Sequence, residues 1–257
     1  MTNKIDITAP GKKAEKGGVH PLTKEVRKME DIFQSIGFEI ADGPWIETEE
    51  INFDSLNVPK NHPARDMQDT FWIKNLKETV LRTQTSDVQI RYMRNHEPPI
   101  RIISPGRVFR NESTDARHEA EFHQIEGLVI GKNISVANLK AIFDSFFKGY
   151  VGKDIETRLR PGFFPFVEPG IEVDVTCFRC GGTDKKCELC SGTGWMELGG
   201  SGMVHPNVLK AGGIDPEKYQ GFAFGLGIER TIMAKYGIKD IRDFLNSDTE
   251  MIKQFNK

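Results

Sequence analysis

Apolar residues recur along this chain with two periods, and the places where the period changes outline the elements. Residues 1–19 are polar, rich in glycine and lysine, and without period, which reads as an extended arm or linker. Pro21 then opens a segment in which Val26, Met29, Phe33 and Ile36 fall three, four and three residues apart, the spacing of one helix face. Gly37 is placed to stop that helix, Phe38-Glu39-Ile40 begins a strand, and Gly43-Pro44 breaks it. Strands are predicted at Val80–Thr83, Arg101–Ile103, Val108–Arg110, His123–Ile130 and Ile171–Val175. Trp195-Met196-Glu197-Leu198 resumes a sheet after a cysteine-bearing interruption. Helices are predicted at Asp87–Arg94, Ser135–Tyr150 and Arg230–Tyr236. In the second of these, Val136, Leu139, Ile142, Phe143 and Phe146 form one apolar stripe and are read as core.

A chain of 257 residues suits one large domain, or one domain with a small insert. Its 38% hydrophobic and 28% charged residues are ordinary for a globular protein. The formal net charge of -2 excludes a global electrostatic signature of nucleic-acid binding, so any such partner must meet a local basic patch or a second protein. The start of the chain is mildly basic: Lys4, Lys12, Lys13, Lys16, Lys24, Arg27 and Lys28 face only Asp6, Glu15 and Glu25. That run reads either as such a patch or as solvated surface. No apolar run reaches the ~18 residues of a membrane span, and no signal-peptide pattern opens the chain, which makes the cytoplasm the default expectation.

Five segments carry candidate chemistry. Arg110 closes the apolar strand Val108-Phe109, and Glu112, two residues on, points to the same side if the strand continues. A hydrophilic loop runs from Asn111 to His118, and the returning strand from Phe122 alternates imperfectly. Such a hairpin can hold cations and an aromatic face over a nucleotide; a charged surface hairpin is the other reading. Gly221 to Arg230 is a glycine-rich strand leading into a helix, in which Gly225 and Gly227 let a ligand approach the backbone closely. Its Gly-x-Gly-x-x-Arg spacing is neither a dinucleotide fingerprint nor a phosphate-binding P-loop. Phe164 and Phe166, two residues apart, face the same way on one strand and offer ring edges to an aromatic ligand, or else are two core phenylalanines. Cys177-x-x-Cys180 and Cys187-x-x-Cys190, six residues apart, supply four thiolates with tetrahedral reach for zinc, a redox pair or chance clustering being the alternatives. His62-Pro63-Ala64-Arg65-Asp66, in the loop from Asn52 to Asp69, reads as an active-site rim.

Phe109-Arg110-Asn111-Glu112 with His118 to Glu126, and Gly221 to Arg230, resemble motifs 2 and 3 of the class II aminoacyl-tRNA synthetases. The helix–Gly–strand–Pro order of residues 21–44 resembles motif 1, which builds that family's dimer interface, although an ordinary amphipathic helix on a sheet reads the same way. Arg158 to Pro169, Leu81 to Ser86, Met203 to Val208 and Gly221 to Gly225 narrow the resemblance to bacterial-type phenylalanyl-tRNA synthetase alpha subunits, over the chain from about Ile5 to Phe255.

The resemblance implies an α+β fold: a class II antiparallel sheet flanked by helices, forming a catalytic domain over residues 20–257 with a zinc-knuckle insert at about 176–194. It implies ATP-dependent activation of phenylalanine to phenylalanyl-adenylate and transfer to tRNA(Phe). In that family Arg110 contacts the α-phosphate, Glu112 reads the adenine amino group, His118 lies near the terminal phosphates and Phe122 stacks on adenine. Arg230 packs on adenine's other face and reaches the γ-phosphate. Gln84, Ser86, Gln89, Gln124, Glu126, Phe164, Phe166, Ala223 and Gly225 match the amino-acid site, and Glu168 matches a magnesium carboxylate shared with a partner subunit. A buried structural role for Glu168 is the alternative. An apolar pocket rejects an added hydroxyl by only ~10², so discrimination against tyrosine needs editing elsewhere. The family places editing on a large beta subunit, in a heterotetramer of two alphas and two betas.

Two departures are visible. Gln84 stands where the family has histidine, so that position hydrogen-bonds but does not become cationic. The family's long N-terminal helical arm, which touches tRNA, and the C-terminal anticodon domain of the mitochondrial form have no counterpart here. Two other readings stand beside the main one: a stand-alone paralogue loading an amino acid onto another carrier, and a non-catalytic zinc-bearing binding module.

Overall fold

The computed structural model describes residues 8, 11, 17–60, 70–152, 154–246 and 248–255. The opening helix is where the periodicity places it. α1 runs Pro21–Ser35, its N-cap His20 side chain accepts from the Leu22 N–H, and it buries Leu22, Met29 and Phe33. Gly37 follows at φ 88°, a left-handed turn that glycine adopts without a Cβ clash, and the chain drops directly into β1 (Glu39–Ile40).

The next elements are short: β2 (Ile46–Thr48), α2 (Glu49–Asn52) and β3 (Thr79–Leu81), with β2 and β3 pairing as a small antiparallel ribbon. The strand expected over Val80–Thr83 therefore ends early. Arg82 leaves it to bury its guanidinium, donating from Nε to the Arg107 carbonyl at 2.8 Å and from Nη1 to the Gly43 carbonyl at 3.3 Å. α3 (Ser86–Asn95) follows.

The two strands expected at Arg101–Ile103 and Val108–Arg110 are one. β4 runs unbroken over Ile100–Phe109 and pairs with β5 (Glu121–Gly131) through Ser104, Pro105 and Gly106. Proline's fixed φ is compatible with extended backbone, so the apparent breaker does not break the ladder. After α4 (Val136–Tyr150) come β6 (Thr157–Phe164), β7 (Val167–Thr176), β8 (Trp195–Val204), α5 (Pro206–Ala211), β9 (Gln220–Gly227), α6 (Ile228–Tyr236) and α7 (Thr249–Gln254).

Seven strands form one sheet in the order β1-β4-β5-β9-β8-β7-β6. It is mixed, not purely antiparallel, because β1 lies parallel to β4 while the other neighbours are antiparallel. Side-chain alternation sorts the sheet's two faces. Ile103, Ile125, Phe222, Phe224 and Leu226 join α1, α4 and α6 in the larger core. There Phe33 stacks on Phe146 at 4.4 Å and on Phe224 at 5.5 Å, locking α1 to α4 and to β9. The intervening residues, among them Leu128, Ile130 and Ala223, face α3, α5 and a second, smaller core. That smaller face leaves room for a cavity.

Candidate active site

Two hollows open on the sheet, and they meet. The smaller, about 280 Å³, is lined by all nine residues expected at the amino-acid site: Gln84, Ser86, Gln89, Gln124, Glu126, Phe164, Phe166, Ala223 and Gly225. The larger, about 1410 Å³, is lined by Arg110, Glu112, His118, Phe122 and Arg230, the five residues expected around ATP. Arg110, Gln124, Phe164, Gly200 and Gly225 line both.

Register explains the first grouping. Glu126 pairs with Gly225 and Leu128 with Ala223 across β5 and β9, so the carboxylate lies opposite a position without a side chain and next to a small one. Three donors hold Glu126: the Thr85 N–H at 3.2 Å, the Gln89 amide at 3.0 Å and the Ser86 hydroxyl. Burial pushes its carboxyl up to about 7, against the opposing pull of Ser86, Thr85, Arg110 and Arg82. A carboxylate has about four lone-pair positions, so one remains for a ligand donor. Gln124 adds a buried Oε1 that has no hydrogen-bond partner among the described residues. Two acceptors with spare capacity at one end of a small cavity suit an ammonium group.

The other end is apolar: Leu56, Val204, Val208, Ala223 and the rings of Phe164 and Phe166. The sequence reading puts these two phenylalanines on one strand, and the structure does not. β6 ends at Phe164 and β7 begins at Val167, so Phe166 lies beyond the end of β6, in the turn between the two strands. The turn nevertheless brings the rings together, 6.0 Å between centroids and 22° from parallel. Gly200 makes this possible, because a Cβ there would lie 2.6 Å from the Phe164 ring. Gln84 is buried and donates its amide to the Asn52 carbonyl at 3.2 Å.

Arg110 stands at the junction. Its Nε donates to the Thr83 carbonyl at 3.2 Å, and its guanidinium lies 5.0 Å from the Phe122 ring centroid and 3.9 Å from Glu112. Desolvation lowers its pKa, with Glu112 and Glu126 pulling the other way, and an arginine so placed stays protonated. Arg230 enters from the first turn of α6. The neighbouring Glu229 is buried and accepts the His123 backbone N–H at 2.9 Å and pairs with its ring Nδ1 at 2.7 Å. That clamp ties the hairpin strand β5 to α6 and so sets Arg230 relative to Phe122. Sequence reasoning gave Glu229 no role, because in the mixed first turn Ile228-Glu229-Arg230-Thr231 nothing local marks this carboxylate as buried. His118 is exposed in the hairpin loop and pairs with Asp115 at 3.0 Å.

Glu168 is not brought into either hollow. Its side chain is 74% exposed and faces His205 at 3.4 Å, which removes the reading of a buried structural carboxylate. His62 to Asp66 lie outside the described residues.

The four cysteine sulfurs lie within 4.8 Å of one another. Cys177–Cys187 and Cys180–Cys190 are each 3.8 Å apart. A tetrahedral zinc site with arms of about 2.3 Å has edges of about 3.8 Å, so the donor set fits that ion. The knuckle spans the link between β7 and β8, and Cys177, Cys187 and Cys190 are buried with Met196 and Leu198 in the larger core. It also forms part of the larger hollow's wall, through Phe178, Arg179, Leu189 and Ser191.

The model of the tRNA synthetases class II core domain (F) matches residues 4–255. A protein of Bacillus subtilis (strain 168) named phenylalanine–tRNA ligase alpha subunit is 54% identical over 98% of this chain and 73% of its own length. The same name belongs to relatives in Caldanaerobacter subterraneus subsp. tengcongensis, 53% identical over 98% of this chain and 73% of its own, and in Pelodictyon phaeoclathratiforme, 51% identical over 99% and 75%. Among solved structures, a pyrrolysyl-tRNA synthetase from Desulfitobacterium hafniense superposes with a TM-score of 0.66 at 19% identity, over 89% of this chain and 74% of that one. That likeness speaks to fold alone.

Proposed function

The chain belongs to the class II tRNA synthetase core-domain family, and from that membership we propose that it is the alpha subunit of a phenylalanine–tRNA ligase. It activates phenylalanine with ATP and passes it to tRNA(Phe). The observation that carries this reading is the meeting of the two hollows at Arg110. A small site with two acceptors at one end and aromatic rings at the other opens into a larger groove with cations and an aromatic face.

Phenylalanine fits the small hollow with its ring against Phe164, Phe166 and Ala223 and its ammonium on Glu126 and Gln124. Its carboxylate then points to Arg110. One carboxylate oxygen attacks the α-phosphorus of ATP, a new C–O–P linkage forms, and the bond to pyrophosphate breaks. The chain contributes no nucleophile. It orients the reactants, and Arg110 and Arg230 neutralise charge on the phosphates, with Glu112 and Phe122 reading and stacking the adenine. Magnesium, when bound, neutralises the leaving pyrophosphate. Glu168, exposed at the start of β7, is a carboxylate offered outward, in keeping with an ion shared with another subunit. We assign the partner as a beta subunit, in a complex of two alphas and two betas, and the setting as the cytoplasm. Among the described residues no helix is long and apolar enough to cross a membrane. Residues 20–257 act as one catalytic domain, and the cysteine knuckle holds a structural zinc.

The deciding test is phenylalanine-dependent ATP–pyrophosphate exchange, by the chain alone and with its beta subunit. Exchange with the partner supports the assignment; folded complex with no exchange on phenylalanine overturns it. Two further outcomes are expected. Ala223→Val intrudes on the ring end of the hollow and should raise the KM for phenylalanine about tenfold, from roughly 1–2 kcal/mol of overpacking, while the KM for ATP stays put. Metal analysis should find one zinc per chain, and Cys187→Ser should lose it; retention of full zinc by that variant would remove Cys187 from the ligand set.

A further inference from the structure

The groove holds more cationic side chain than activation uses. At about 1410 Å³ it exceeds the roughly 300–1,000 Å³ of a small-molecule site. Four of its five carboxylates are engaged, Glu112 with Arg110, Glu119 with Thr114, Glu197 with Arg160 and Glu229 with His123, and Glu188, beside Leu189, is the fifth. Its cations Arg117, Arg179, Arg230 and Lys239 have no side-chain partner among the described residues. The wall carries six cations, Arg110, Arg117, Arg179, Arg230, Lys235 and Lys239, against these five carboxylates, an excess of one positive charge on a chain of net charge -2. Of the four without a side-chain partner, the activation step takes Arg230 and leaves the others.

Arg179 is the one with a fixed root. It lies between Cys177 and Cys180, whose sulfurs belong to the tetrahedral set. The knuckle's backbone is tied by the Cys177 N–H to the Gly194 carbonyl and the Gly181 N–H to the Cys177 carbonyl, both 2.9 Å. The backbone that carries this cation is therefore positioned before binding, while its exposed side chain stays free to reach a ligand. Beside it in the groove wall are Phe178 and Leu189, the latter 39% exposed despite being apolar. A cation on a tied backbone, next to an exposed leucine and a half-buried phenylalanine, suits single-stranded nucleic acid, phosphate on the cation and base or ribose on the apolar surface. A triphosphate has no use for the leucine.

We propose that Arg179, with Leu189, binds a backbone phosphate and the adjoining nucleotide of the single-stranded acceptor end of tRNA, making the cysteine knuckle a wall of the transfer site as well as a staple. This rests on the tRNA-ligase reading above. The test uses the complex with its beta subunit and compares Arg179→Gln and Leu189→Ser with the parent in two assays. Pyrophosphate exchange needs no tRNA; aminoacylation does. Arg179→Gln is expected to raise the KM for tRNA about fivefold or more and to reduce the salt slope of tRNA binding by about one charge. Exchange should keep its KM for ATP within about twofold. Leu189→Ser should raise the KM for tRNA without changing the salt slope. An unchanged KM for tRNA in both variants, or a raised KM for ATP in exchange, overturns the proposal. A parent complex that fails exchange itself points instead to failure of the function assigned above.

Discussion

Arg110→Ala is expected to lower phenylalanine-dependent exchange by about 10²–10³-fold in kcat, the effect of removing one preorganised charge-stabilising group, roughly 2.7–4 kcal/mol. Arg110 is the cation that lines both hollows, anchored through Nε to the Thr83 carbonyl and flanked by the Phe122 ring. Its guanidinium is therefore aimed before any ligand arrives. Arg110→Lys should recover little, because a lysine keeps the charge but loses the planar fork that spans two phosphate oxygens. The KM for phenylalanine should move less than kcat, since the ring and ammonium contacts lie elsewhere. A variant with near-parent kcat would remove Arg110 from the chemistry and leave it as a wall of the cavity.

Glu126 carries the second large effect. Its carboxyl, pushed up to about 7 by burial, is largely neutral at pH 6 and largely ionised at pH 8. An ammonium ligand selects the ionised form. The KM for phenylalanine should therefore fall as pH rises from 6 to 8, by about tenfold per unit below the pKa. Glu126→Gln should raise that KM roughly 10- to 100-fold at pH 8, the loss of one charge-assisted hydrogen bond, and flatten the pH profile. A pH-independent KM in the parent would show that the ammonium is held elsewhere. Stability carries the opposite sign. The folded protein holds this proton more tightly than the unfolded chain, so the ligand-free form loses stability as pH rises through about 7. Asp87, also raised to about 7 by burial and with no hydrogen-bond partner among the described residues, acts in the same direction. Phenylalanine should protect against heat more at pH 8 than at pH 6.

Much of the site was legible before any coordinates. Arg110, Glu112, Phe122, Arg230 and the four cysteines lie in short segments whose residue types and spacing restrict the chemistry. Local periodicity likewise placed α1, α4 and α6 to within a residue or two. Errors arose where long-range contact overrode a local signal. Ser104-Pro105-Gly106 resembles a break, yet ten consecutive residue pairs with β5 hold it extended. The spacing of Phe164 and Phe166 suggests one strand, yet a turn intervenes, because the β6–β7 ladder closes before Phe166 is reached.

What the sequence determined by itself was therefore local: which residues are helical, which cations and thiols are available, and which family's motifs they compose. Backbone propensity and ligand spacing act over a few residues, so they survive in a linear reading. What only the tertiary structure decided was adjacency. That Glu229 clamps His123 from 106 residues away, that Gly200 yields its space to the Phe164 ring, and that the cysteine knuckle walls the same groove as Arg230 all follow from β9 inserting between β5 and β8. That strand order is selected by burial of two cores on opposite faces of one sheet. It is a property of the whole chain, and no single segment encodes it.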